Sequence, residues 1–357
     1  MNVLIDYLNH TDLFYGLYKL FEERLGYTVY SPMGPEWREL GFLNLEPDFF
    51  NSEREGLEKF KERDGVTYFT RKMEPADNYY TVRGLSFKKF LEMDFEVILT
   101  GVYLHEETFA ALIKKHKPNA KLIRQIANIH EKPLGFCKNI LLGAAYHPTD
   151  FEMEPSIQRA FAKRGERVFV YYPEHHSGYS YTPPSNSKTV ICLSKHIASE
   201  DRVMWELYKR DLEKLGFVFK MYGGQYEPYE IDPIYGSVIS HLLLPKAIKE
   251  AGFVWYTKPH GGGGFTVRQA LSIGRPVIVR KRYSSAHTII ESELFRHGTN
   301  CIDLDLSSDT SMMRTWSQPS VHAPLCRRVA DLFQRDVQFE KISKQVKDWI
   351  NRLPRGI

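Results

Sequence analysis

The sequence predicts an α/β protein built as two parallel-sheet domains in tandem. Three observations carry this. Short apolar runs alternate with amphipathic stretches of helical period along most of the chain. The alternation stops once, at Pro173–Lys188 (PEHHSGYSYTPPSNSK), where proline and small polar residues take over, and then restarts. The length, 357 residues, is more than one core usually serves, since single cores stop growing near ~250–300 residues.

The elements follow in order. Met1–Asp6 (MNVLID) is a short apolar run and a first strand. Asp12 can cap the helix after it, in which Leu13, Leu17, Leu20, Phe21 and Leu25 recur at helical spacing until Gly26. Tyr27–Tyr30 is the next strand, stopped by Ser31-Pro32, and strand–helix–strand is how a doubly wound sheet opens. Gly34–Tyr80 is less regular, with one helix expected over Ser52–Glu62. Phe95–Thr100 reads as a buried strand, Glu106–Lys117 as a helix stopped by Pro118, and Ala120–Ile126 and Ile140–Ala145 as strands. A helix near Ile157–Lys163 and a strand at Arg167–Tyr172 close the first half.

After the interruption come strands at Thr189–Leu193, Phe217–Tyr222, Phe253–Tyr256, Pro276–Val279 and Asn300–Leu304. Between them lie helices at Glu200–Leu215, Ile239–Glu250, Thr266–Ile273 and Ile289–Leu294, several ended by glycine. The polar patch Ser307–Pro324 breaks the rhythm, and Arg327–Arg352 reads as helical. The expected division is a first domain over 1–180, a second over 181–335, and a terminal helix over 336–357.

Composition excludes several classes. With 22 Phe, 21 Tyr and 5 Trp the chain needs a core, so it is not disordered. The net charge of +4 is too small a basic excess to indicate nucleic acid by itself. Lys88-Lys89, Lys114-Lys115 and Arg280-Lys281-Arg282 are short and separate rather than one stripe. No run reaches the roughly 18 apolar residues of a membrane span, and no basic segment precedes an apolar one at the start, as a signal peptide needs. The four cysteines are far apart without a C-x-x-C pair, against a disulfide framework or a cysteine zinc site, so a cytoplasmic location is expected.

Ligands of parallel sheets bind outside the carboxyl ends of the strands. The loops expected there are Leu8–Asp12, Thr100–His105, Ala127–Glu131, Tyr222–Tyr229 and Lys258–Phe265. The strongest signal is Lys258–Val279 (KPHGGGGFTVRQALSIGRPVIV). Gly261, Gly262, Gly263 and Gly264 follow a strand and a histidine, and Phe265 and Thr266 then open a helix. Consecutive glycines let backbone amides approach a ligand, and the helix start adds unpaired N–H groups and a positive dipole end. Together they suit a phosphate or diphosphate. The chain has no G-x-x-x-x-G-K-[ST], and no G-x-G-x-x-G follows its first strand.

This segment resembles the nucleotide-sugar-binding end of the two-Rossmann-domain (GT-B) glycosyltransferases, which carry a glycine-rich turn, a helix with an acid near its first turns, and then G-x-P-V-I. The order LSKH, KMYGG, FVWYTKPHGGGG and SIGRPVIV over the second half is the order expected of that domain. Where many retaining members have two glutamates with seven residues between them (E-x7-E), this chain has Gly261 and Gln269. Gln269 keeps a hydrogen-bonding group for a ribose hydroxyl, and His260 stands almost at the place of the first acid. The resemblance implies two Rossmann-like sheets facing a cleft, a glycosyltransferase dependent on a nucleoside-diphosphate sugar, UDP-type binding, and a last helix that returns to the first domain.

Roles follow from that chemistry. The departing diphosphate needs amides and a cation, for which Lys195 and Lys258 are the candidates; Arg268 and Arg275 point away from the glycine turn by helix periodicity. Asp303-x-Asp305 follows a late strand at the sheet's far edge, so no metal and no cofactor are expected. Tyr222 and Gly223 begin a loop (YGGQYEPYE) whose tyrosines can stack on the donor's base. An inverting reaction needs a general base from the first domain. His10, with Asp12 to orient it, follows the first strand; His105 and His130 follow later ones, and His147 and Asp150 are further candidates. Tyr79 and Tyr80 are expected to cover the acceptor, and His175-His176 to lie in a solvated loop. The acceptor stays open between glycan, protein, lipid and a modified DNA base. A sugar-nucleotide epimerase or phosphorylase of the same architecture, and a non-catalytic two-domain binding protein, are the competing readings.

Overall fold

The computed structural model describes residues 1–5, 11–40, 56–73, 79–100, 106–126, 137–142, 165–193, 199–222, 242–256, 264–280 and 294–356. The chain divides into two compact units. Described residues up to Ser177, together with those from Gln338 onward, form the first; Gly178–Val337 belongs to the second.

The first unit holds a nine-stranded sheet in the order β3-β4-β5-β2-β1-β6-β7-β8-β9. These are β1 Asn2–Ile5, β2 Thr28–Pro32, β3 Leu57–Arg63, β4 Val66–Lys72, β5 Tyr79–Leu85, β6 Val97–Thr100, β7 Lys121–Ile126, β8 Asn139–Leu142 and β9 Arg167–Val170. From β2 to β9 every pairing is parallel. Leu4, Ile98 and Leu122 stand opposite one another across β1, β6 and β7, and they bury themselves against Trp37, Phe90, Phe109 and Ile113. Phe109 and Ile113 come from α4, Glu106–His116, the crossover between β6 and β7.

The segment before Tyr80 differs from the expected pattern. Leu57–Glu62 is strand, not helix, and β3 pairs antiparallel with β4, which pairs antiparallel with β5. The reason is Asp64-Gly65, whose φ values of 52° and 74° make the tight turn that joins two twisted strands. The first helix, α1 Thr11–Tyr18, continues into a π-helical turn, Lys19–Arg24, before Gly26 ends it at φ 74°. Helices α2 Pro35–Glu39 and α3 Phe87–Glu92 complete the N-terminal part. The expected helix near Ile157–Lys163 lies outside the described residues.

The second unit holds a five-stranded, all-parallel sheet in the order β11-β10-β12-β13-β14. Its strands are β10 Thr189–Cys192, β11 Val218–Met221, β12 Phe253–Tyr256, β13 Val277–Val279 and β14 Cys301–Asp303. β10, β12 and β13 are buried at every position, as strands covered on both faces must be. Helices α5 Ser199–Glu213, α6 Leu244–Glu250 and α7 Gly264–Ile273 are the crossovers. The polar patch expected to break the rhythm instead forms α8, Ser311–Trp316, and the start of α9, Pro319–Val337. Pro319 opens α9 at the position where a missing N–H costs nothing. The expected helix Ile289–Leu294 lies mostly outside the described residues.

The last helix, α10 Phe339–Arg352, belongs to the first unit, where Trp349 lies 5.8 Å from the Phe169 ring. Gln338, between α9 and α10, is left-handed at φ 43°. The same unit takes in the start of the proline-rich segment. His176 there is buried with its ring edge-on to Tyr15 at 5.8 Å, not solvated as expected. No helix among the described residues is long and apolar enough to cross a membrane.

Candidate functional site

Parallel pairing puts the carboxyl ends of all five strands of the second unit along one edge. Register fixes the row: Met221 beside Cys192, Cys192 beside Trp255, Tyr256 beside Val279, and Val279 beside Asp303. Tyr222 continues it, with its N–H donating to the Cys192 carbonyl at 2.9 Å. β12 ends at this edge with Tyr256, and α7 begins at Gly264, directly after Gly261–Gly263 in sequence.

The first turn of α7 therefore carries Gly264, Phe265 and Thr266 with amides the helix itself does not use. Phe265 is buried and Thr266 half-buried. From Val267 to Ile273 every side chain is buried, because α7 packs between the sheet and α9. Gln269 is among them, and the Arg268 guanidinium stacks 4.4 Å over the Phe265 ring. The helix thus has a fixed axis and a fixed start. Gly261, Gly262, Gly263, His260, Lys258, Lys195 and Gly223 lie outside the described residues.

Of the two arginines expected to lie away from the glycines, Arg275 follows the far end of α7, whereas Arg268 packs on Phe265 in the helix's first turn. A third was missed. Arg280 follows β13 directly at the carboxyl edge, and its Nε donates to Asp305 Oδ1 at 2.9 Å. The Asp303-x-Asp305 pair is turned to structural use: Asp303 Oδ1 accepts from the Asp305 amide at 3.1 Å, while Asp305 holds Arg280. Among the described residues no group of three or more His, Cys, Asp or Glu could hold a metal ion.

In the first unit, Asp12 is buried within the first turn of α1 rather than before it, where an acid suits the positive dipole end. His10, His105, His130, His147 and Asp150 lie outside the described residues. The carboxyl ends of β6 and β7 bring Thr100 beside Arg124. Arg124, Gln125 and Thr100 are all fully buried. Sequence reasoning passed over Arg124 and Gln125, although two polar residues inside the apolar run KLIRQI were the available sign. Burial pushes the nearby Cys137 thiol up to about 11, with Arg124 pulling the other way. Tyr80 does not cover a cleft: it is buried between Tyr15 and Tyr18, at 5.3 and 4.6 Å, and only Tyr79 is exposed.

No protein-family model matches the chain, and no curated protein matches it. Solved structures do. The catalytic domain of starch synthase IV from Arabidopsis thaliana, bound to ADP and acarbose, superposes with a TM-score of 0.63 at 10% identity over 98% of each chain. TarM gives 0.60 at 10% identity over 98% of each chain. An alpha-glucosyltransferase in complex with UDP gives 0.60 at 10% identity, covering 98% of this chain and 99% of that one. At such identity the likeness is one of fold, and it runs the length of both units. With its two Rossmann-like parallel sheets in tandem, the chain has the GT-B fold.

Proposed function

We propose that the protein is a glycosyltransferase that moves a sugar from a nucleoside-diphosphate sugar to an acceptor. The observation that carries this is the entry to α7: four consecutive glycines lead from the carboxyl edge of an all-parallel sheet into a buried helix. Amides and dipole there stabilise the negative charge that grows on a departing diphosphate, which is the main barrier when the leaving group is an anion. Two structures of the same fold support the reading, since one holds ADP and another UDP.

The roles assigned to this chain are as follows. The glycine turn with Phe265 and Thr266 binds the diphosphate, and Lys195 and Lys258 supply cationic charge beside it. Gln269 addresses the ribose, Tyr222 and Gly223 the base, and His260 the transferred sugar. His10 accepts the acceptor's proton, and Asp12 orients it; His130 is the alternative base. The reaction runs without a metal ion. Its support is that the Asp303-x-Asp305 pair is committed to Arg280 and to its own backbone. A nucleic-acid acceptor has one specific point in its favour, an alpha-glucosyltransferase of this fold in complex with UDP and a 13-mer DNA, at TM-score 0.57.

The test is a calorimetric panel of nucleoside diphosphates and their sugar conjugates, followed by transfer assays with the best donor. Saturable binding of one conjugate and release of its diphosphate on addition of an acceptor are expected. Binding of none would leave the non-catalytic reading standing.

A further inference from the structure

Three segments of the second unit meet on one buried side chain, Arg275. Its Nη1 donates to the Thr182 carbonyl at 2.9 Å and to the Ile273 carbonyl at 3.4 Å, and its Nη2 donates to the Lys249 carbonyl at 2.8 Å. Ile273 is the last residue of α7, and Lys249 lies in the last turn of α6. The cation therefore sits at two helix C-termini at once, where unpaired carbonyls and negative dipole ends favour it. Thr182 comes from the proline-rich segment by which the chain enters this unit, and its own N–H donates back to the Ile273 carbonyl at 3.3 Å.

The neighbouring backbone is equally constrained. Gly274 has φ 91°, and a Cβ there would stand 2.4 Å from the Cys326 carbonyl of α9. A lysine could not make this junction, since only a planar fork reaches several carbonyls in fixed directions. A fully buried cation is costly to keep, and this one is held by main-chain carbonyls rather than a carboxylate in every hydrogen bond given above.

The other end of the same helix is the candidate anion site. A ten-residue helix is about 15 Å long, and burial from Val267 to Ile273 makes α7 move as a rod. What fixes its last carbonyl fixes its first amides. We propose that Arg275 is the positioning residue of the diphosphate site, locking α7 to α6 and to the entering segment so that the amides after the glycine turn are aimed before ligand arrives. This rests on the reading of the glycine turn as the diphosphate site. Preorganisation of this kind is sensitive to small displacements, and an offset near 1 Å can cost on the order of a hundredfold in rate.

The test compares Arg275→Lys with Ile350→Ala, a core truncation in the first unit that lowers stability at a residue outside α7. UDP affinity is measured by calorimetry and backbone opening by hydrogen exchange. Arg275→Lys should weaken UDP binding tenfold or more and speed exchange through α7, with β10 and β12 still protected. Ile350→Ala should bind UDP as wild type. Equal UDP affinity in Arg275→Lys and wild type, or equal weakening in both variants, would overturn the proposal. Wild-type exchange gives a readout that needs neither UDP nor a folded variant. The Thr182 amide should open together with the C-terminal amides of α7, and exchange at the rate of a free loop would refute the lock. If wild type binds no UDP but Thr182 and α7 open together, the diphosphate reading fails and takes the positioning role with it, while the mechanical link stands.

Discussion

Arg24 grips Glu174 through two parallel hydrogen bonds, Nε to Oε2 at 2.8 Å and Nη2 to Oε1 at 3.0 Å. Its remaining Nη1 pairs with Glu340. Glu174 lies shortly before the chain leaves the first unit, and Glu340 shortly after it returns. One side chain of the π-helical turn therefore ties down both crossings on the first-unit side. The fork geometry is what distinguishes arginine here.

Arg24→Lys keeps the charge and loses the fork. We expect a cost of about 1–2 kcal/mol, because the Glu174 pair is partly buried, whereas Glu340 is mostly exposed and contributes little. Hydrogen exchange should show α10 loosening first. Wild-type protection of α10 in Arg24→Lys would mean that packing of Trp349 and Ile350 holds the helix by itself.

A second expectation concerns acid. His322 in α9 is buried, and burial pushes its pKa down to about 4; the Trp316 carbonyl at 3.1 Å opposes that shift and Arg275 adds to it. The unfolded chain, with a histidine near 6.5, then binds more protons than the folded one between about pH 6.5 and 4. Stability is fully present above that window and falls as pH drops through it, by up to about 3 kcal/mol. His322→Gln should flatten this stretch of the stability–pH curve. A slope as steep in the variant as in wild type would assign the acid sensitivity to other groups.

Much of this architecture was legible because its punctuation is local. Gly26, Gly216 and Gly274 end helices at φ 74°, 80° and 91°, and only glycine takes those values cheaply. Strands such as Phe253–Tyr256 and Val277–Val279 read as continuous apolar runs because a parallel sheet buries both faces. What escaped was decided by longer-range or conflicting signals. Leu57–Arg63 is charged and almost wholly exposed, so its pattern gave no strand period; the deciding element was the Asp64-Gly65 turn and the pairing partners beyond it. The start of α9 was hidden by serines and prolines that usually break helices. Arg124 was hidden differently, since a buried cation in a strand is recognised only when the neighbouring strand ends are in view.

Gly274→Ala tests the tight contact beneath α7. The added Cβ meets the Cys326 carbonyl at 2.4 Å and the Tyr181 ring at 2.9 Å, in a left-handed backbone. A loss of roughly 2 kcal/mol or more is expected, from strain and displacement together. A thermal midpoint equal to wild type would show that the α7–α9 contact gives way freely.

His10→Ala tests the proposed base. Donor affinity should be unchanged and turnover should fall by roughly 10²–10⁴-fold. Wild-type turnover in His10→Ala would pass the role to His130 or another candidate, or point to retention of configuration. Determining the anomeric configuration of the product settles that choice, because retention ends the general-base assignment however the variant behaves.

The glycine segment ahead of α7 is the proposed seat of the donor's diphosphate. Gly263→Val tests it most directly, because a branched side chain restricts φ and blocks the anion's approach to the amides. The measurement is calorimetric titration of wild type and Gly263→Val with the nucleoside diphosphate that binds best, with circular dichroism to confirm the fold. Saturable binding to wild type and at least tenfold weaker binding to a folded Gly263→Val are expected. Equal affinity in the two folded proteins would contradict this assignment.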